Sequence, residues 1–276
     1  MNRGLIEMII ATFIWGSTPL MGIFSHLPSG VFVFFRVLFA FWFLLYFSIR
    51  YYGLREFLNI KHFLPLLLSG VALAINWIFF FWALEYSDVS TVVIIYYSGP
   101  IISLLLASIF LKERINFYII LGVILAFLGV VVSSNGFTFN KGAILAIFAA
   151  ISYGLLGFFS KIATIYHKAL IVTTWQILIS IFITLPYLFL QEWHFSINAM
   201  IIALITAIVH TAIALFLWYD ALKYIKVSIA SILQYLDIVF SMILAYIFLD
   251  QIPLLNQIIG AILIVVAGIL VTFKRV

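Results

Sequence analysis

Residues 83–131, ALEYSDVSTVVIIYYSGPIISLLLASIFLKERINFYIILGVILAFLGVV, return at 221–269 as ALKYIKVSIASILQYLDIVFSMILAYIFLDQIPLLNQIIGAILIVVAGI. A constant shift of 138 positions places Ala83-Leu84 on Ala221-Leu222, Tyr86 on Tyr224, Val89-Ser90 on Val227-Ser228, Tyr97 on Tyr235, Ser103 on Ser241 and Gly122 on Gly260. The same shift carries Trp15-Gly16 onto Tyr153-Gly154. A duplicated apolar chain of this kind is the sequence signature of a carrier built from two halves.

The composition says where such a chain lives. Of 276 residues, 67% are hydrophobic and 8% charged, whereas a soluble domain runs near half apolar and a quarter charged. Too little polar surface exists to cover the fold, so its solvent is lipid. A membrane span needs about 20 apolar residues. Ten spans therefore leave only short loops and no space for a soluble catalytic domain. The chain has no cysteine, which excludes disulfides, thiolate catalysis and thiolate metal sites. The net charge of +5 does not point to nucleic acid, because the basic residues lie scattered between hydrophobic segments.

The pattern predicts an all-α integral membrane protein with ten helices, at approximately 5–25, 30–49, 63–85, 88–111, 117–134, 141–161, 168–190, 199–222, 227–249 and 255–273. Pro28-Ser29-Gly30, Lys112-Glu113-Arg114, Asn135-Gly136 and Asp250-Gln251-Ile252-Pro253 punctuate them. The first segment follows Arg3 like a signal peptide, but its length and its partner at 138–161 mark it as a retained helix.

With the N-terminus in the cytosol, Arg3, Arg50, Arg55, Lys61, Lys112, Arg114, Lys161, Lys168, Lys223, Lys226, Lys274 and Arg275 all fall on the cytosolic side, against Lys141 alone outside. That bias obeys the positive-inside rule. It places both termini in the cytosol and the protein in the cytoplasmic membrane. Five helices per unit reverse the second copy, so 1–136 and 137–276 are expected as two inverted five-helix repeats. The charges agree: Lys112 and Arg114 correspond to Asp250 and Ile252, and Asp88 to Lys226, while the apolar frame is kept. Gly142, Ala146, Ala150 and Gly154 recur every four residues, a ridge for close helix packing.

Polar groups in mid-span carry the functional signal, since a charge at the bilayer centre costs about 2.5–3.5 kcal/mol on insertion scales. Asp237 in the ninth helix reads either as a binder of a proton or a substrate amine, or as a structural carboxylate paired with a neighbour such as Arg36. Arg36 in the second helix reads as a holder of a substrate carboxylate or as a snorkelling structural charge. His210 has no second ligand at helical spacing, so no metal site is expected, and His26, His62, His167 and His194 lie near loops. Gly99-Pro100 breaks the fourth helix, freeing a carbonyl that is tolerated where it lines a cavity. The repeat sets Asp237 opposite Gly99 at one depth, and sites of carriers lie at the midplane between repeats. Trp193 and Tyr187 read as interfacial belt residues. Trp15, Asn76, Trp77, Tyr97, Tyr153, Trp218 and Tyr235 read as an aromatic, weakly polar pocket or as ordinary packing. No Walker loop, dinucleotide glycine pattern, zinc signature or serine elbow is present, and no cofactor is expected.

Trp15-Gly16-Ser17, Arg36, Ala83-Leu84 before Val89-Ser90, Pro100, Lys112-Glu113-Arg114, Ala221-Leu222, Tyr235-Leu236-Asp237 and Gly260 together resemble the drug/metabolite transporter superfamily, in its ten-helix EamA branch. The resemblance implies two inverted repeats around a central cavity and transport of small metabolites, often amino acids, without ATP. It implies a lining from the first, third, fourth, sixth, eighth and ninth helices, here Trp15, Asn76, Trp77, Tyr97, Tyr153, His210, Gln234 and Tyr235. Two departures stand out: Ile238 where a proline would match Pro100, and Asp250-Gln251 where Gly-Glu is usual. The leading expectation is a secondary carrier of amino acids or similar metabolites working by alternating access. The alternatives are a proton-coupled exporter of lipophilic cations, with Asp237 as the coupling group, and a non-transporting receptor. An enzyme is not expected, since no acid, base or metal cluster is present. Two fused halves suffice as a monomer, with dimerisation through lipid-facing ridges left open.

Overall fold

The structure is a computed structural model and describes residues 3–87, 89–134, 136 and 138–273. The positions expected for Asp88, Asn135, Lys274 and Arg275 fall outside these. Lipid offers backbone N–H and C=O groups no partners, so each must be satisfied within its own segment. The segments accordingly run as helices, with no strand among the described residues.

The ten crossings are made as follows. α1 (Arg3–Gly16) and α2 (Thr18–Ser25) form the first, α3 (Ser29–Leu58) the second and α4 (Phe63–Tyr86) the third. α5 (Val89–Tyr96) and α6 (Gly99–Phe110) share the fourth, and α7 (Phe117–Ser133) is the fifth. α8 (Lys141–Tyr166) is the sixth, followed by α9 (Ala169–Thr184) with its short continuation α10 (Tyr187–Leu190). α11 (Ile197–Thr206), a π-helical stretch (Ala207–Ile213) and α12 (Ala214–Ala221) make the eighth. α13 (Val227–Gln234) and α14 (Leu236–Leu249) make the ninth, and α15 (Leu255–Phe273) the tenth. Eight of these crossings are long and apolar enough to span a bilayer, and α7 is a shorter apolar helix. The first is divided at Ser17, whose hydroxyl donates to Ile14 O at 2.7 Å. Asn116 and Asn140 cap α7 and α8, accepting from Ile119 N and Ala143 N at 3.0 Å each, the ordinary device for a helix start.

Two helices outrun their sequence boundaries. α3 continues to Leu58 through Gly53, whose φ of +79° only glycine adopts without strain, and α8 continues to Tyr166. Ile238 in place of a proline left the bend of the ninth crossing open. It breaks all the same at Tyr235, where Tyr235 N and Ile238 N turn to carbonyls three residues back, Ile232 O and Tyr235 O, at 3.3 Å each.

The inverted repeat is visible contact by contact. A Cβ on Gly16 would stand 2.7 Å from Phe240 Cβ and 3.0 Å from Asp237 O; one on Gly154 would stand 2.5 Å from Ile102 Cγ2 and 3.1 Å from Gly99 O. Every residue in the first set shifts by the repeat interval onto the second. Gly4 packs against Ala221 and Ile225, as Gly142 packs against Ala83 and Ser87. Arg3 lies 5.0 Å from the Tyr224 ring and Lys141 lies 3.9 Å from the Tyr86 ring, another related pair. The corners after the fourth and ninth crossings match too. Lys112 and Asp250 take φ of 53° and 52°, and Glu113 N and Gln251 N reach Ala107 O and Ala245 O at 3.2 and 3.3 Å. The expected ridge is real: Gly142, Ala146, Ala150 and Gly154 are all buried, at the seam of α8 with α4 and α6.

Gly154→Val forces a branched side chain into the Ile102 contact. Overpacking of this kind typically costs about 1–3 kcal/mol, so the variant is expected to melt measurably below the parent in thermal unfolding of purified protein. Gly268→Ala, whose Cβ would meet nothing nearer than 3.6 Å, is expected to melt at or above it.

Candidate functional site

The break in the fourth crossing creates the centre of the site. Pro100 has no N–H, and Ile101 N turns to Ser98 O at 3.0 Å, which releases the carbonyl of Tyr97. Tyr235 Oη donates to that carbonyl at 2.6 Å. Tyr97 and Tyr235 are repeat partners, and their rings stand 5.6 Å apart, so the relation between the halves passes between them. Tyr97 Oη in turn donates to Asp237 Oδ1 at 2.8 Å, and Gln234 Nε2 approaches Oδ2 at 3.3 Å. The depth match of Asp237 with Gly99 thus becomes a direct bridge between α5–α6 and α13–α14.

Around this knot the expected pocket residues fall into neighbouring contact groups. Tyr96 stacks on Tyr153 at 4.9 Å and meets Tyr97 edge-on at 5.5 Å. Its hydroxyl donates to Asn76 Oδ1 at 3.3 Å, while Asn76 Nδ2 donates to Ala149 O at 3.0 Å. Trp15 Nε1 donates to His210 O at 2.9 Å, and Ser17 Oγ lies 2.7 Å from His210 Nε2. Trp15 also faces Trp218 at 6.2 Å. Trp15, Trp77, Tyr96, Tyr97, Tyr153 and Asp237 are only half-buried. Tyr96, Tyr97, Tyr153 and Asp237 touch one another in mid-span from α5, α8 and α14.

Arg36 departs from one of its readings. It makes no pair with Asp237: the ion pairs among the described residues are Arg3 with Glu7 and Asp220, and Lys223 with Asp220. Arg36 is 5% exposed and its guanidinium lies 4.4 Å from the Trp77 ring. Its Nε is buried without a partner, as are His210 Nδ1 and Thr211 Oγ1. It lies near enough to Tyr96 and His210 for its charge to act on both. A desolvated cation–π contact contributes about 2 kcal/mol, against several for burying an unpaired ion.

Two small crevices approach these groups. One, lined by Gly30, Trp77, Glu85, Thr184, Tyr187 and Gln191, reaches Trp77 from the end of the bundle that carries Lys141. The other, lined by Pro100, Ser103, Tyr153, Trp218, Ser231 and Gln234, lies towards the basic end that carries Arg3, Lys161 and Lys223. Tyr187 therefore belongs to the first crevice and is buried, which corrects its reading as a belt residue. Trp193 packs on Phe35 at 5.2 Å and donates to Leu188 O at 3.2 Å.

At the basic end Glu113 accepts from Val227 N at 2.9 Å and from Ser228 N and Oγ at 3.2 and 3.0 Å. A carboxylate there sits on the positive end of α13. Lys161 Nζ donates to Leu222 O and Ile225 O. Sequence reasoning missed this clamp and the role of Tyr96. The neighbour relation of Tyr96 to Tyr97 was the available signal for the second; the clamp had none beyond the acidic residue at a corner.

The two halves of the chain each match one family model, described as the EamA-like transporter family, at residues 2–135 and 140–273. A Bacillus subtilis protein described as uncharacterized transporter YxxF is 29% identical over 285 residues, covering 99% of this chain and 90% of its own. Protein RarD of Escherichia coli is 25% identical, with 91% and 88% covered. An S-adenosylmethionine uptake transporter of Rickettsia prowazekii is 24% identical, with 91% and 85% covered. A crystal structure at 17% identity superposes with a TM-score of 0.86 over 98% of this chain and 96% of that one, and so shares the fold. With both halves matched, the chain is a multi-pass membrane transporter protein and belongs to the EamA-like transporter family.

Proposed function

We propose that this chain is a secondary carrier of the cytoplasmic membrane, moving small polar metabolites, amino acids among them, by alternating access, with the basic end in the cytosol. The observation that carries the proposal is an asymmetry laid over symmetric packing. Glu113 clamps the start of α13, whereas its repeat counterpart Gln251 is exposed and its side chain makes no hydrogen bond among the described residues. Asp220 and Glu7, which hold Arg3, have Trp82 and Leu145 as counterparts. The basic end is thus tied by carboxylates whose repeat counterparts are uncharged, while the other end is held by neutral contacts such as Val31 N to Gln191 Oε1 at 3.2 Å and Thr138 N to Thr91 Oγ1 at 2.9 Å. In a carrier of two inverted copies, the opposite arrangement of the same contacts opens the other end.

Asp237, held by Tyr97 and Gln234 in an aromatic setting, favours a second reading, a proton-coupled exporter of lipophilic cations. Its carboxylate would take the proton or the cation in turn.

Three measurements decide among these. Flux of a broad amino-acid panel, with S-adenosylmethionine included because a relative is named for it, is measured in proteoliposomes; saturable movement of at least one member is expected, and none in either direction would refute the carrier reading. Charge-assisted hydrogen bonds contribute about 1.5–3 kcal/mol and each 1.4 kcal/mol is about tenfold in population. Glu113→Ala is therefore expected to raise, roughly tenfold or more, the labelling rate of Ser231→Cys by an impermeant maleimide from the cytosolic side. The absence of native cysteine makes that readout free of background, and an unchanged rate would count against the clamp. For the second reading, Asp237→Asn should abolish the pH dependence of cation efflux; normal pH-dependent transport in that variant would remove it.

A further inference from the structure

We infer that Arg36, lying on the Trp77 ring, is the anion-accepting subsite of the carrier, and that the substrate it receives bears a carboxylate. The inference rests on the carrier reading and narrows its substrate class.

The guanidinium is almost fully enclosed, yet no acidic group among the described residues lies within ion-pair distance of it. The buried or half-buried carboxylates are all engaged elsewhere. Glu7 and Asp220 face Arg3, Glu113 holds α13, and Asp237 is held by Tyr97 and Gln234. An arginine cannot shed its charge to relieve the burial, as a lysine or histidine does. Nor does it reach a carbonyl: its Nε is an orphan donor, and so are two polar atoms of the segment packed against α3, His210 Nδ1 and Thr211 Oγ1. Buried polar atoms without partners are rare in finished structures. Others occur elsewhere in the bundle, but among the described residues Arg36 is the one that carries a full charge without an opposite charge beside it, which is the arrangement expected where the missing acceptor arrives with a ligand. The planar fork of a guanidinium matches a carboxylate with two parallel hydrogen bonds, and the Trp77 ring lies 4.4 Å from it. Trp77 also lines the crevice from the Lys141 end, so the subsite adjoins an approach route. The rings alongside, with Tyr96 stacked on Tyr153, are suited to an apolar or aromatic remainder rather than a second charge.

The test uses the purified full chain, with thermal unfolding and equilibrium binding as readouts and no gradient. The probes are L-phenylalanine, its decarboxylated counterpart phenethylamine, and benzoate. Phenylalanine and benzoate are expected to raise the melting temperature and to bind about tenfold or more tightly than phenethylamine, a margin of about 1.4 kcal/mol. Arg36→Gln is expected to erase that preference without lowering its own melting temperature, since an uncompensated functional charge stabilises binding and not the fold. Arg36→Lys is expected to keep part of the preference, having the charge but not the fork. The inference is overturned if neither carboxylate shifts the unaltered chain, if the preference survives in Arg36→Gln, or if Arg36→Gln melts far lower or does not fold, as loss of a structural cation would cause. Absence of flux in the proteoliposome panel leaves these binding outcomes readable, and failure here leaves the carrier reading standing.

Discussion

The hydrogen bond from Tyr235 Oη to the carbonyl of Tyr97 joins the two copies at the depth where each is broken. Lipid makes a loose carbonyl expensive, so the break at Gly99-Pro100 must be answered from across the interface. The side chain that answers it is the repeat partner of the residue that carries the carbonyl. Tyr97 then uses its own hydroxyl to hold Asp237, and the carboxylate is fixed by the same exchange. Two backbone irregularities, one charge and two rings thereby become a single unit. The aromatic groups, the crevices on either side and the separation of Arg36 from Asp237 all take their places from it.

Much of this was legible in the chain. The shift of 138 positions located both breaks, and the matched depth of Asp237 and Gly99 pointed to the bridge. Its finer reach was greater than the identical residues suggested. Arg3 and Lys141 differ in type, yet each lies over a repeat-related tyrosine, because the frame conserves geometry more faithfully than chemistry. What remained hidden were contacts decided by packing across the bundle. Nothing in Ala207–Ile213 announces a π-helical turn, though that turn lets His210 O accept from Trp15. Tyr187 has the composition of a belt residue and the position of a crevice wall, and only the tilt of neighbouring helices distinguishes the two. The break at Tyr235 without a proline shows that tertiary partners set a helix kink as readily as a missing amide does.

Arg36 and Asp237 together show why opposite charges in mid-span need not pair. Had they met, each would have compensated the other's burial, and the centre would be a structural lock. Asp237 instead directs its acceptors to a tyrosine and a glutamine, and Arg36 rests on an indole. Asp237 is held by charge-assisted hydrogen bonds, whereas Arg36 has only the Trp77 ring against it, and the core is less stable for that unpaired charge. Stability is surrendered in this way at sites that must exchange their contents.

If the chain works by the proposed alternating access, the symmetry of its packing sets how it can be biased. Contacts that occur as repeat-related pairs, such as Gly16 on Phe240 and Gly154 on Ile102, contribute equally to the two facing states and cancel from the difference between them. Only unpaired contacts remain. Glu113 on Val227 and Ser228, and Asp220 and Glu7 on Arg3, are of this kind. The exposed member of the Arg3 group is weak, as surface ion pairs usually are, so among the basic-end contacts the clamp at α13 contributes the larger share, opposed by unpaired contacts at the other end such as Val31 N on Gln191 Oε1. At about 1.5–3 kcal/mol it falls short of the roughly 5.5 kcal/mol that would move an equilibrium from one extreme to the other. Under the proposed alternating access, a bias of that size would favour one facing state in the empty carrier and still let a bound substrate, through the contacts proposed at Arg36, bring the other within reach.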